Sequence, residues 1–375
     1  MKQNKIWLSS PHMGGAEQKF VQEAFDTNWI APLGPNVNGF EQDLQNYLLQ
    51  NVYVAALSAG TAAIHLALKL AGVTKNDLVI CQSMTFSASA NPITYQGATP
   101  VFVDSEKDTW NMSPELLEKA IKDLIKNGTK PKAIIVVHLY GMPAKMEEIQ
   151  TIAEKYNIPV IEDAAEALGS TYKGKKCGTL GNFGILSFNG NKIITTSGGG
   201  ALVCQTKEAK EKTIFLSTQA RDTAPHYQHT EIGYNYRMSN IVAGIGRGQM
   251  QVLDSRVEAR RKNYEYYRSK LKNTTIEFIQ EPDEIYANRW LTTILTDSFT
   301  TREKIRLALE KENIEARPLW KPMHLQPVFK EAKAYVNGVS EDLFNRGLCL
   351  PSGSNLSQND LQRVVEEVKR VVSYQ

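Results

Sequence analysis

Cysteine is scarce: Cys81, Cys177, Cys204 and Cys349 are the only four in 375 residues, and none is paired at metal-ligand spacing. This argues against a zinc-knit or disulfide-stapled fold and fits a reducing compartment. No apolar run approaches the roughly 20 residues that span a bilayer. The opening Met1-Lys-Gln-Asn-Lys-Ile-Trp-Leu-Ser-Ser10 carries neither an apolar core nor a small-residue cleavage site. A cytoplasmic location without a membrane partner is expected. A charge excess is missing as well. Lys+Arg 43 against Asp+Glu 40 gives a net charge of +3, and no basic block stands out, so nucleic acid is not an expected partner. Internal repeats and low-complexity tracts are lacking too. What is present is an ordinary globular composition, 42% hydrophobic and 22% charged, in a chain long enough for two lobes.

Between about residues 53 and 205, short apolar runs alternate with helical patterns. The strand candidates are 52–57, 78–81, 100–103, 133–139, 159–162, 184–188 and 201–204. Several are apolar almost throughout, as strands buried on both faces must be. Helices are predicted over 61–71, 113–126 and 145–156. This alternation predicts an α/β domain with a mainly parallel sheet of seven strands. After residue 240 the texture changes. One long helical region is predicted over 239–272, then strands at 276–279 and 290–295 and helices over 301–313 and 357–372. We place an N-terminal segment and large domain in 1–250, and a smaller α+β domain in 251–375.

One lysine stands out. In Ser187-Phe-Asn-Gly-Asn-Lys192, Lys192 follows an apolar strand and precedes a loop of small residues. Most lysines are solvated, and this is an unusual place for one that is. A partly desolvated lysine can hold pyridoxal phosphate (PLP) as a Schiff base and then act as a base. PLP also needs a carboxylate on its pyridine nitrogen. Asp163 ends another strand and offers one, although alone it would pass for a turn or cap aspartate. Ligands of parallel sheets sit beyond the carboxyl ends of strands, where both residues fall. Ser58-Ala-Gly60-Thr61-Ala62 follows a strand and opens a helix, so it can bind phosphate or simply cap that helix. Ser187 can add a hydroxyl. Phe86 can stack on a ring or belong to the core, and His138 at a strand end reads as a core histidine.

Two glycine clusters are decoys. Gly244-Ile-Gly-Arg-Gly248 follows no strand and lies inside a helical pattern, where close helix packing explains it. Gly198–Gly200 has no helix after it. A nicotinamide dehydrogenase therefore rests on the α/β pattern alone.

Taken together, these segments resemble the DegT-type PLP-dependent sugar aminotransferases of fold type I, the aspartate aminotransferase-like fold. The likeness runs through Leu8–Gly15, Asn28–Gly34, Ser58–Ala62, Pro100–Asp104, Glu162–Ala167, Ser187–Lys192, Gly233–Asn240, Glu315–Trp320 and Cys349–Gly353, essentially the whole chain. It is nearest to the branch that makes UDP-4-amino-4,6-dideoxy-N-acetylglucosamine, the bacillosamine precursor, and to exopolysaccharide aminotransferases.

The resemblance implies that Lys192 carries PLP, that Asp163 pairs with the pyridine nitrogen and that Glu166 contacts the ring hydroxyl. It implies that Gly60, Thr61 and Ser187 hold the phosphate, that Phe86 stacks on the ring, and that Asn235 reaches the phosphate of a partner subunit in a homodimer. His12, Trp29, Arg237, Arg317 and His324 lie in segments that border the sugar-nucleotide site of similar proteins, although structural ion pairs account equally well for the two arginines. The expected substrates are L-glutamate and a UDP-linked 4-keto-6-deoxy sugar aminated at C4, for surface glycan or glycoprotein synthesis. Amination at C3, a dTDP- or GDP-sugar, and a PLP-binding regulator without turnover are the alternatives.

Overall fold

The computed structural model describes residues 4–49 and 51–372. All seven predicted strands form, as β1 (Tyr53–Leu57), β2 (Leu78–Gln82), β3 (Thr99–Val103), β4 (Ala133–Val137), β5 (Val160–Asp163), β6 (Phe183–Ser187) and β7 (Gly200–Cys204). They share one sheet with an eighth strand, β8 (Ala334–Tyr335), in the order β1-β7-β6-β5-β4-β2-β3-β8. Only β7 runs against the rest. The apolar runs serve both faces. In β4, Ile134 and Val136 join one core layer while Ala133 and Ile135 join the opposite one.

The sheet thus has one strand more than expected. Two residues are too short to leave a periodic signal, and β8 is held through the backbone, with Phe102 N–H on Lys333 O and Asp104 N–H on Tyr335 O.

The long helical region is also divided, into Asn240–Met250 and Leu253–Leu271, with Val252 outside helical geometry. The halves bury different things. In the first, an added Cβ at Gly246 would lie 2.7 Å from the Phe40 ring, and one at Gly248 would lie 2.6 Å from Glu17 N. These glycines let two N-terminal helices, Glu17–Asp26 and Pro35–Leu48, approach closely. The second half buries Val257, Arg260, Tyr264, Tyr267 and Leu271, spaced three and four apart on one face.

A four-stranded antiparallel sheet combines Glu277–Phe278, Thr292–Leu295, Arg317–Pro318 and Gly347–Leu350. Helices Phe299–Lys311 and Gln358–Val371 share its apolar core. Ile6 pairs with Ile314, so the N-terminal segment crosses to this second sheet. All four cysteines are free and buried.

Candidate active site

The carboxyl edge of the large sheet opens on a cavity of about 610 Å³ lined by Gly60, Thr61, Phe86, Asp163, Glu166, Ser187 and Lys192. Chain order explains the convergence. Asp163 is the last residue of β5 and Ser187 the last of β6, while Gly60 starts the helix Gly60–Leu70 three residues after β1. Thr85, Phe86 and Ser89 follow β2.

Lys192 is held by its loop. Its N–H donates to Asn189 O (3.0 Å), and Asn191 O accepts from Ser9 Oγ and Trp290 Nε1, each at 2.7 Å. The buried Arg260 donates to Trp290 O (2.6 Å), Ser9 Oγ (2.9 Å) and Lys192 O (3.3 Å). Burial pulls the Arg260 guanidinium down to about 9, and neighbouring Arg256 adds to the effect. Lys192 Nζ lies 4.2 Å from the Trp290 ring centre and 3.4 Å from Glu166 Oε1.

Glu166 accepts the Tyr140 N–H on its other oxygen (2.7 Å). Burial raises its pKa to about 7, against the opposing pull of Lys192. Asp163 Oδ2 accepts from Ser89 Oγ (2.6 Å) and Oδ1 from Ala165 N (3.1 Å).

No side chain caps the helix at Gly60, whose N-cap residue is Ala59. A Cβ at Gly60 would sit 3.1 Å from Ser187 Cβ, and one at Gly200 would sit 2.3 Å from Gly60 N. The helix start is therefore packed tightly against the ends of β6 and β7, with its first-turn N–H groups at the cavity rim. An amine, a carboxylate that accepts only neutral donors, and an uncapped helix start beside a hydroxyl face one cavity. That donor set fits PLP.

The remaining expected residues are distributed differently. Arg317 lines the same cavity and is paired with Glu315 Oε1 at 2.6 Å. Arg237 does not line it. Its guanidinium is buried on Glu41 and on Ala56 O (2.9 Å), and Lys210 holds the second Glu41 oxygen at 2.9 Å. His12 rests on Ser354 Oγ (3.0 Å), its basicity lowered by burial and by Arg256 and Arg260. His324 lies between Ser83 Oγ (2.6 Å) and Glu341 Oε1 (3.3 Å). Trp29 and Asn235 are exposed and lie outside this lining.

His138, Glu162 and Cys177 also cluster in the interior. Ala144 N–H donates to His138 Nδ1 (3.0 Å), so Nε2 carries the proton given to Glu162 Oε1 (2.8 Å). Glu162 further accepts N–H groups of Gly178 (2.5 Å), Leu180 (2.7 Å) and Gly181 (2.9 Å). This is a satisfied buried network that fixes the turn before β6.

Sequence reading missed Trp290, Trp320, Thr85 and Ser89, all in the cavity wall. The tryptophans come from distant segments and carry no local signal. Thr85 and Ser89, four apart where a helix starts after a strand, carry a weak one.

A model of the DegT/DnrJ/EryC1/StrS aminotransferase family matches residues 11–369, and the chain belongs to this family. It is 55% identical over 367 residues to EpsN of Bacillus subtilis (strain 168), described as a pyridoxal phosphate-dependent aminotransferase, covering 96% of this chain and 94% of that one. It is 38% identical to GDP-perosamine synthase of Escherichia coli O157:H7, with coverage of 98% and 99%. The fold superposes on the PLP form of sugar aminotransferase Spr1654 from Streptococcus pneumoniae with a TM-score of 0.91, at 28% identity and 98% coverage of both chains. The protein is a PLP-dependent sugar aminotransferase of fold type I.

Proposed function

We propose that this enzyme moves the amino group of L-glutamate to C4 of a nucleotide-linked 4-keto-6-deoxy sugar, with UDP-2-acetamido-2,6-dideoxy-4-ketohexose as acceptor. It would act as a cytoplasmic homodimer whose product feeds surface glycan or glycoprotein synthesis. The observation that carries the reading is the meeting of Lys192, Asp163 and Glu166 in one cavity beside an uncapped helix start.

PLP, when bound, supplies an electron sink for breaking the bond between a substrate carbon and its hydrogen. The chain's own residues do the rest. Lys192 Nζ anchors the cofactor and then carries the proton in both halves of the reaction. Asp163 holds the ring nitrogen in its protonated form. Glu166 would contact the ring hydroxyl, Phe86 would stack on the ring, and Gly60, Thr61 and Ser187 would hold the phosphate. Arg317 at the cavity wall serves substrate anions. Asn235 serves a partner's site, a reading supported by its exposure outside its own cavity and by the exposed apolar residues Trp29, Ile30 and Leu33. No helix among the described residues is long and apolar enough to cross a membrane.

The UDP acceptor follows the sequence resemblance. A GDP-sugar acceptor is the second reading, and the 38% identity to a GDP-perosamine synthase favours it. Isotopically labelled L-glutamate, offered with UDP- and GDP-linked 4-keto-6-deoxy sugars, tests both. Label at C4 of the UDP-sugar supports the proposal. Label on the GDP-sugar alone replaces the acceptor, and label at C3 contradicts the position.

A further inference from the structure

Asp163 is buried and accepts hydrogen bonds from neutral groups only, Ser89 Oγ at 2.6 Å and Ala165 N at 3.1 Å. Ser89 Oγ is itself 2.7 Å from Thr85 Oγ1. Ser89 Oγ has one proton. If it serves Asp163, the Thr85 hydroxyl must donate to Ser89, so the three groups form a directed chain. Thr85, Ser89 and Asp163 all face the cavity, and both hydroxyls are buried.

We propose that Ser89, backed by Thr85, is a positioning residue that keeps Asp163 an oriented acceptor for the ring nitrogen of PLP. The inference rests on the role given to Asp163 above. A buried carboxylate short of donors takes up a proton and ceases to accept. The charge-assisted bond from Ser89 opposes this, and the Thr85 hydroxyl polarises Ser89 to strengthen it. Oδ1 is fixed by Ala165 N, so the pair of bonds also sets the carboxylate plane. The other titratable groups near Asp163 are Glu166 from the turn after β5, Lys192 from the loop after β6 and Cys81 from β2. Burial pushes the Cys81 thiol up, so it remains neutral.

The test measures PLP retention by the apo protein through equilibrium dialysis across a pH series, in the parent and in Ser89→Ala, Thr85→Val, Ser89→Thr and Asp163→Asn. Removing the Ser89 hydroxyl should weaken retention about ten- to hundredfold. It should also move the acidic limb of the retention profile to higher pH, because the carboxylate then lacks its charge-assisted donor. Thr85→Val should shift the limb the same way by less, and Ser89→Thr should restore the parent profile. Melting of each apo variant checks folding, and a role confined to packing would lower the melting temperature without moving the limb. Parent-like retention and limb in Ser89→Ala, with Asp163→Asn impaired, would overturn the inference. Parent-like retention in Asp163→Asn would instead overturn the role of Asp163.

Discussion

Lys192 Nζ and Glu166 Oε1 stand 3.4 Å apart in a wall where Glu166 is almost wholly buried. Burial favours the neutral acid and the ammonium favours the anion. Burial wins, and Glu166 titrates at about 7 rather than at 4.5.

That relationship has a sign. Because the folded state holds the Glu166 proton more tightly than the unfolded chain, its contribution to stability is fully present below about pH 4.5 and is lost as pH rises to about 7. Apo-protein melting temperatures across this window should therefore fall less steeply in Glu166→Gln than in the parent. Parallel profiles would contradict the assignment.

Lys192→Ala should leave the fold intact, since the side chain lies at the cavity and not in a core layer. Turnover should drop by at least about 10²- to 10⁴-fold, the usual contribution of a positioned base. A circular-dichroism spectrum and an amino-transfer assay check both halves. Near-normal transamination would overturn the role of Lys192.

Arg237 should behave as a structural residue. Replacing it with Met removes one of the two cations on the buried Glu41 carboxylate and leaves Lys210 and the Ala56 N–H, so the cost should be about 1.5–3 kcal/mol, less than for a buried pair broken outright. Denaturant unfolding should show the loss, and KM for the nucleotide sugar should stay near the parent value. A raised KM with unchanged stability would return Arg237 to the substrate site.

Asn235→Ala should weaken PLP retention through the partner's site. Mixing it with Lys192→Ala should give hybrid dimers with one intact site each, so activity should reappear from two impaired parents. An isolated, fully active monomer would contradict the shared site.

The large sheet was legible because its strands are buried on both faces and read as apolar blocks between helical periods. Lys192, Asp163 and Gly60 were legible for a related reason, since each sits just where such a block ends and ligands of parallel sheets collect there. β8 was not, because two residues held by backbone bonds to β3 leave no pattern. The divided helix was hidden as well. Both halves are helical, and what separates them is a change of packing partner at Val252. Trp290 reaches Lys192 from 98 positions away along the chain, a contact made by tertiary packing alone. Arg237 stayed open between a substrate contact and a structural ion pair for the same cause, because its partner Glu41 lies in a distant helix.

The central claim is tested most directly by the visible spectrum of the purified protein with PLP, recorded before and after L-glutamate and again after the UDP-linked 4-keto sugar. A band from lysine-bound cofactor that glutamate removes and the UDP-sugar restores is the predicted result. If glutamate removes the band and only a GDP-sugar restores it, the acceptor is the GDP-sugar. A protein that forms no such band would contradict the role of Lys192, and with it the account of the site.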